Sequence, residues 1–360
     1  MFLKSLRLTN FRNYAKSEFE FNSDTILIVG PNTSGKTNFA EGIFFLSVGR
    51  SFRAEKDGES VSFGKEVAHI TGTVVFSKEG KIEDGTKLEV AIQKGDEDGT
   101  ARKKYKVNGV AKRRLDFAGN LVSVLFLPEH LDIIIDSPSL RRNFLDNVLE
   151  QVDRDYRAAT ISFTKGLRQR NALLDHARES GIRNEKQFEY WDNLLIESGS
   201  IITQKREEFI TFINDSRKDI FDFAVFYDKS VISKARLLQY KEAEASSGVT
   251  LVGPHRDDVS FHMYNNTRRT THDIKQFGSR GQQRLTILQL KLIELTFIES
   301  TIGQRPILVL DDIFSELDQD HIKLVLEEIH GQQTILTATH KEFFDSQFLK
   351  KAGVIELKLK

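Results

Sequence analysis

Gly30-Pro31-Asn32-Thr33-Ser34-Gly35-Lys36-Thr37 is the stretch of this chain best equipped for chemistry. It fits G-x-x-x-x-G-K-[ST], in which backbone N–H groups of a turn and of the next helix converge on phosphate oxygens. Lys36 is placed to meet the β- and γ-phosphates of ATP as a point charge. The Thr37 hydroxyl is placed to ligate Mg²⁺. An apolar strand, Ile26-Leu27-Ile28-Val29, runs directly into the turn, and a helical segment follows it.

A second apolar strand, Ile307-Leu308-Val309-Leu310, ends in Asp311-Asp312. This resembles a Walker B motif. Asp311 would hold the Mg²⁺ shell through water, and Asp312 would orient, or take a proton from, the attacking water. Taken by itself, a carboxylate pair after a strand also suits a plain helix N-cap. Ser315-Glu316-Leu317-Asp318 follows at the spacing of a D-loop, with Ser315 and Asp318 as its candidates. Upstream, Ser279-Arg280-Gly281-Gln282 opens a helix rich in Leu and Ile, offering a hydroxyl and free N–H groups to an anion. Ser279, Gly281 and Gln282 resemble the ABC signature, which in that superfamily meets the γ-phosphate held by a partner's P-loop. Thr337-Ala338-Thr339-His340 closes another apolar strand, and His340 stands where a phosphate-sensing switch histidine would.

Those motifs need elements to hold them. Residues 2–8 and 19–29 read as strands, and 37–48 as a helix. Between about 60 and 127, alternating runs such as KLEVAIQ, KYKVNG and SVLFL suggest a mostly antiparallel sheet, with an exposed tip near 94–100. From Pro128 the period changes to three and four residues, and no proline intervenes between Pro138 and Pro254. We read 128–245 as a helical insertion that the glycines at 166, 181 and 199 interrupt, without a sustained heptad. Beyond Gly248–Asp258 the β/α alternation resumes. The expected architecture is α/β, an ABC-type (SMC-like) P-loop ATPase head with an inserted, mainly helical second domain. Its parts are 1–127, 128–245 and 246–360.

Composition narrows the alternatives. The 52 basic and 52 acidic side chains cancel, so any nucleic-acid contact must come from local patches. Cysteine is absent, which removes disulfides, thiol nucleophiles and Cys-ligated zinc. No apolar run is long enough for a membrane span, and the charged N-terminus lacks a secretory core, so a cytoplasmic protein is expected.

Several blocks go beyond the superfamily. Leu8-Thr9-Asn10-Phe11-Arg12-Asn13-Tyr14, Glu41-Gly42-Ile43, Gly49-Arg50-Ser51-Phe52-Arg53, Pro128-Glu129-His130-Leu131, Arg141-Arg142-Asn143-Phe144-Leu145-Asp146 and Gly253-Pro254-His255-Arg256-Asp257-Asp258 resemble the RecF family, in order and over nearly the whole chain. The resemblance implies ATP binding, an ATP-dependent head-to-head homodimer, weak DNA-stimulated hydrolysis, and DNA binding at gaps, single-strand/double-strand junctions or duplex. It also implies RecR and RecO as partners in favouring RecA loading, and a phosphate contact from Arg12. Two residues depart from common patterns. Thr33 replaces the family's second P-loop glycine, so a positive φ there would be strained. Asp312 stands where many ABC proteins carry Glu, a shorter reach that suits slow turnover.

For DNA, Arg102, Lys103, Lys104, Lys106, Lys112, Arg113 and Arg114 put seven cations within 13 residues. Of these, Lys103, Lys104, Lys106, Arg113 and Arg114 are the main candidates for phosphate contacts. Arg141, Arg142, Arg168 and Arg170 are further ones. Two other functions compete. A transporter ATPase subunit would normally carry Leu-Ser-Gly-Gly-Gln and a Gln loop. A chromosome-structuring or nuclease-coupled ATPase needs long coiled coils or a metal-carboxylate domain.

Overall fold

The computed structural model describes residues 1–78, 81–82, 85–95, 101–265, 270–313 and 331–358. The chain divides into two compact units, Met1–His130 with Glu294–Lys360, and Leu131–Ile293.

In the first unit the opening stretch makes three strands, β1 (Phe2–Phe11), β2 (Tyr14–Glu20) and β3 (Thr25–Val29). The sequence reading of 2–8 and 19–29 missed the β1–β2 hairpin, whose strands pair from Ser5↔Glu20 to Phe11↔Tyr14. Asn22-Ser23-Asp24 then breaks the run before β3, as turn-forming side chains do. β1 and β2 join β4 (Val67–Val75), β5 (Thr86–Gln93), β6 (Arg102–Val107) and β7 (Val110–Lys112) in an antiparallel sheet ordered β2-β1-β4-β5-β6-β7. The SVLFL run leaves this region. Its strand β8 (Ser123–Phe126) is buried at every position and pairs in parallel with β12 (Ile307–Asp311). The expected tip at 94–100 lies mostly outside the described residues.

The parallel sheet is ordered β8-β12-β13-β3-β14, with β13 at Thr334–Ala338 and β14 at Gly353–Glu356. Helix α1 (Lys36–Val48) packs on β4 and β5 of one sheet and on β8 and β12 of the other. Only Thr37 and Asn38 of its residues escape burial, so its sequence is apolar all round rather than on one stripe. Edge-on ring pairs knit it to the antiparallel sheet, Phe19 to Phe39 at 4.9 Å and Phe11 to Phe45 at 5.7 Å.

The second unit holds three long helices, α2 (Pro138–Val152), α3 (Arg154–Ser180) and α4 (Glu185–Asp215), and an antiparallel sheet β9-β10-β11. β9 is Phe223–Asp228, β10 Asp258–Asn265 and β11 Thr270–Asp273. Gly181 caps α3 with φ 71, but Gly166 and Gly199 do not interrupt their helices. They mark close approach instead. A Cβ on Gly166 would lie 3.2 Å from Leu195, and one on Gly199 2.5 Å from Ile232.

The contacts place 246–293 with the helices, whereas the sequence reading grouped 246–360 with the head. The reason is ionic as well as strand pairing. Buried Asp257 accepts from Arg206 at 2.9 Å, from Ser230 N at 2.7 Å and from the Tyr227 hydroxyl. Arg141 grips Asp258 at 2.7 and 3.0 Å. The Gly253–Asp258 turn is thus the hub of this unit. Helix α5 (Arg280–Ile302) begins in this unit and ends in the first.

Candidate nucleotide site

Parallel pairing brings the C-terminal ends of β3, β12 and β13 side by side, the position at which open α/β sheets hold ligands. Between β3 and α1 the loop closes with Gly30 N donating to the Ala338 carbonyl at 3.2 Å. Gly30 is required because a Cβ there would meet the Leu357 carbonyl oxygen at 2.9 Å. Gly35 takes φ 106, and its Cβ would lie 2.7 Å from Asn13 Oδ1. It caps α1 without a side-chain bond, and the first turn carries no acid, so the N-terminal amides keep their affinity for an anion.

Buried Lys36 curls onto its own loop, Nζ donating to the carbonyls of Gly30 at 2.8 Å and Pro31 at 3.2 Å. Ser34 Oγ is buried in the same cradle with no hydrogen-bond partner. Pro31, Asn32 and Thr33 form the exposed lip, and Thr33 has φ 70. That is the strained conformation its β-branched side chain was expected to suffer from.

Thr37 Oγ1 donates to Asp311 Oδ2 at 2.6 Å, and Thr337 Oγ1 donates to Asp311 Oδ1 at 2.6 Å. The Thr337 hydroxyl also accepts from Asp312 N at 3.0 Å. The β12–β13 register, Asp311↔Thr337, creates this contact. Asp312 sits at φ 52 just past the strand. An orphan hydroxyl, an ammonium held only by carbonyls, uncapped amides and a hydroxyl–carboxylate pair are together the donor set that a Mg²⁺–triphosphate requires. Among the described residues no group of three His, Asp or Glu side chains is placed to hold a metal ion, at this site or elsewhere. Tyr14 donates to the Gly35 carbonyl at 3.0 Å, and burial, then the Asp311 charge, pushes its phenol well up.

Arg12 is not free to face solvent. Its Nε and Nη2 grip Glu41 at 2.8 and 2.7 Å, and Nη1 donates to the Glu59 carbonyl at 2.9 Å. Fully buried Glu41 also receives Arg53 at 2.9 Å and Ser51 at 2.6 Å. Arg53 reaches on to Asn38, Asn38 donates to Asn13 at 2.8 Å, and Asn13 to the Thr33 carbonyl at 3.4 Å. Glu41, Arg53, Asn38, Asn13 and Thr337 had no role in the sequence reading. The signals there were the RecF-like blocks that contain Asn13, Glu41 and Arg53, and Glu41 as a charge inside a largely apolar helix.

The Ser279–Gln282 turn and His340 each make local contacts. Ser279 and Gly281 are exposed at the start of α5. Ser279 Oγ accepts from Gln282 N at 3.2 Å while Gln282 Oε1 accepts from Ser279 N at 2.8 Å, a reciprocal cap. His340 is exposed two residues past β13, 3.9 Å from Glu342. Ser315 and Asp318 lie outside the described residues.

The cationic run makes a β6–β7 hairpin turned by Asn108 and Gly109, both at positive φ. Two of its cations serve the C-terminus of α1, whose last carbonyls have no helical partner. Arg114 donates to the Val48 carbonyl at 2.9 Å. Lys103 donates to that of Gly49 at 3.3 Å and pairs with Asp57. Arg113 meets Asp116 at 3.3 Å, and Lys104 and Lys106 stand exposed. In the other unit, Arg141 and Arg142 bind the Asp257–Asp258 turn, Arg170 is buried against Asp192 and Glu244, and Arg168 is exposed.

Comparison with known proteins follows the same line. The family described as RecF/RecN/SMC N terminal domain matches residues 2–356. A DNA replication and repair protein RecF of Gloeobacter violaceus is 35% identical, over 99% of this chain and 97% of its own. One from Shouchella clausii is 34% identical, over 98% and 96%. A solved structure of the recombination mediator protein RecF-ATPrS in the RecFOR pathway superposes with TM-score 0.84 at 30% identity, covering 100% of this chain and 96% of that one. Its RecF-ATP counterpart gives 0.83 at 31%, covering 95% and 93%. An Smc head domain with coiled coil from Pyrococcus yayanosii shares the fold, with TM-score 0.51 at 14% identity, covering 100% and 95%. Among the described residues no helix is long and apolar enough to cross a membrane.

Proposed function

The chain belongs to the RecF family, with the ABC-type ATPase fold of the RecF/RecN/SMC group, and we propose that it is an ATP-switched DNA repair and recombination factor. On ATP two copies join head to head, each triphosphate held by the P-loop of one and the signature of the other. The closed pair binds duplex, gapped DNA or a single-strand/double-strand junction in the cytoplasm and, with RecR and RecO, favours RecA loading. Slow hydrolysis resets it.

The observation that carries this reading is the Thr37–Asp311–Thr337 chain beside Lys36. Lys36 would exchange the Gly30 and Pro31 carbonyls for phosphate oxygens, which need its charge more. Thr37 and Asp311 would part to hold Mg²⁺, which supplies charge neutralisation on the phosphates. Asp312, fixed by its amide on Thr337, orients the attacking water. Arg12 leaves one side of Glu41 for the phosphates while Arg53 keeps the other. Ser279, Gly281 and Gln282 of the second copy approach the γ-phosphate. His340 reads its presence. Loss of the γ-phosphate removes what both copies share, so cleavage opens the pair.

Sedimentation tests this directly. Wild type should associate when ATP and a gapped duplex are added, and Lys36→Ala should not. A wild type that stays monomeric with both ligands ends the clamp mechanism.

A further inference from the structure

Within the second unit, Phe226 and Tyr264 leave about half of their surface in water, 50% and 52%, on the strands β9 and β10. Alternation along β9 turns Phe223 and Val225 into the core and leaves Phe226 on the solvent side. Its ring is nonetheless held, edge-on against His262 at 4.6 Å, and His262 Nε2 is hydrogen-bonded to Ser260 Oγ at 2.9 Å. β9 is the edge strand of its sheet, and the last turns of α4 lie beside it. Asn214 ties the two elements, donating to the Val225 carbonyl at 2.9 Å and accepting from its amide at 2.8 Å. A groove of about 380 Å³ opens there, lined by buried Ile210 and Val225, by both exposed rings and by Glu207 and Lys229, which pair at 2.6 Å. Exposed rings around a groove that is apolar at its base mark a surface that binds something.

Charge decides between the occupants that such a face admits. Exposed rings on an antiparallel sheet suit stacked bases. Yet residues 207–229, which supply most of the groove, carry six acids against three bases, in a chain whose charges cancel overall. That local excess repels a phosphate backbone and attracts cations. A guanidinium answers the groove twice, because it stacks on an aromatic face and pairs with a carboxylate. We propose that the groove docks an arginine-bearing apolar segment of a partner protein. The guanidinium stacks on Phe226 and pairs with Glu207, and an apolar neighbour fills the space over Ile210. Asn214 already occupies the outward amide and carbonyl of Val225, so the segment is read by its side chains rather than by strand addition.

Fluorescence anisotropy of the full chain with labelled short peptide pools tests this. One pool is randomised over Arg, Leu and Phe, a second carries Lys in place of Arg, a third Glu, and labelled oligo-dT is titrated beside them. The wild type should prefer the arginine pool to the lysine pool and leave the glutamate pool unbound. Phe226→Ala should weaken the arginine pool about tenfold with no change in melting temperature, and Phe226→Tyr should restore it. Tyr264→Ala and Glu207→Gln should each weaken it as well. A wild type without preference for the arginine pool, or a Phe226→Ala that binds it equally well, overturns the assignment. Oligo-dT affinity that falls with Phe226→Ala overturns it too, since the rings would then stack bases. So does self-association in sedimentation that Phe226→Ala abolishes, because the occupant would then be a second copy.

Discussion

Replacing Thr33 by glycine isolates one energy term in the nucleotide loop. Thr33 is exposed and its carbonyl accepts from Asn13, a backbone bond that the substitution keeps. What changes is the steric cost of holding a β-branched residue at φ 70, about 1–2 kcal/mol. Against this, glycine loses more freedom on folding, about 0.5–1 kcal/mol. The balance is a gain of about 0.5–1 kcal/mol, or 1–4 °C in melting temperature for a unit of roughly two hundred residues. Thr33→Ala keeps a Cβ in the left-handed region and should gain much less. Differential scanning calorimetry of the three proteins, with and without ATP, provides the check. The ligand-induced shift should be the same in all three if the loop keeps its conformation on binding. A destabilised Thr33→Gly, or an alanine variant that gains as much, refutes the strain argument.

Three further substitutions probe other parts of the molecule. Thr337→Val leaves Asp311 Oδ1 and Asp312 N without their shared hydroxyl and should cost about 2 kcal/mol in urea unfolding and most of the ATPase rate, with Thr337→Ser recovering both. Lys104→Ala and Lys106→Ala should each lower the slope of log affinity for DNA against log salt by about 1, measured by fluorescence anisotropy, whereas Lys103→Ala should act chiefly on stability. His255 is pushed down to about 4 by burial, despite its bond to the Thr250 carbonyl, with Arg256, Arg142 and Arg170 adding to the effect. The folded state therefore binds fewer protons there than the unfolded chain does. Its stability is complete above about pH 6.5 and falls as pH drops toward 4, by an amount on the order of 3 kcal/mol. His255→Gln should flatten that limb in denaturant titrations at stepped pH.

What could be read from the chain alone followed how local each feature is. The P-loop is eight contiguous residues whose spacing states its geometry, and the strand and helix around it are equally local. Thr33 was legible as a risk because φ preference belongs to the residue itself. The Arg12–Glu41–Arg53 knot was not, since only the folded sheet and helix bring those side chains together. In the cation run, sequence records charge density and not the carbonyls at the end of α1 to which Lys103 and Arg114 donate. Gly166 and Gly199 misled because a helical glycine costs about 1 kcal/mol, which reads as a break, yet buried neighbours demanded its missing Cβ. The grouping of 246–293 with the helices depends on β9 pairing with β10 across thirty-odd residues, a long-range choice with no local mark.

The strand order carries a consequence for how this protein comes into being. β3, which delivers the P-loop, lies between β13 and β14, both from the last thirty residues of the chain. During synthesis β3 emerges long before the two strands that flank it in the sheet. Residues 131–293 contain their own core and can settle meanwhile. Loop closure over such a separation is slow. A chain that lacks β13 and β14 therefore leaves β3, and the loop that follows it, without their sheet neighbours.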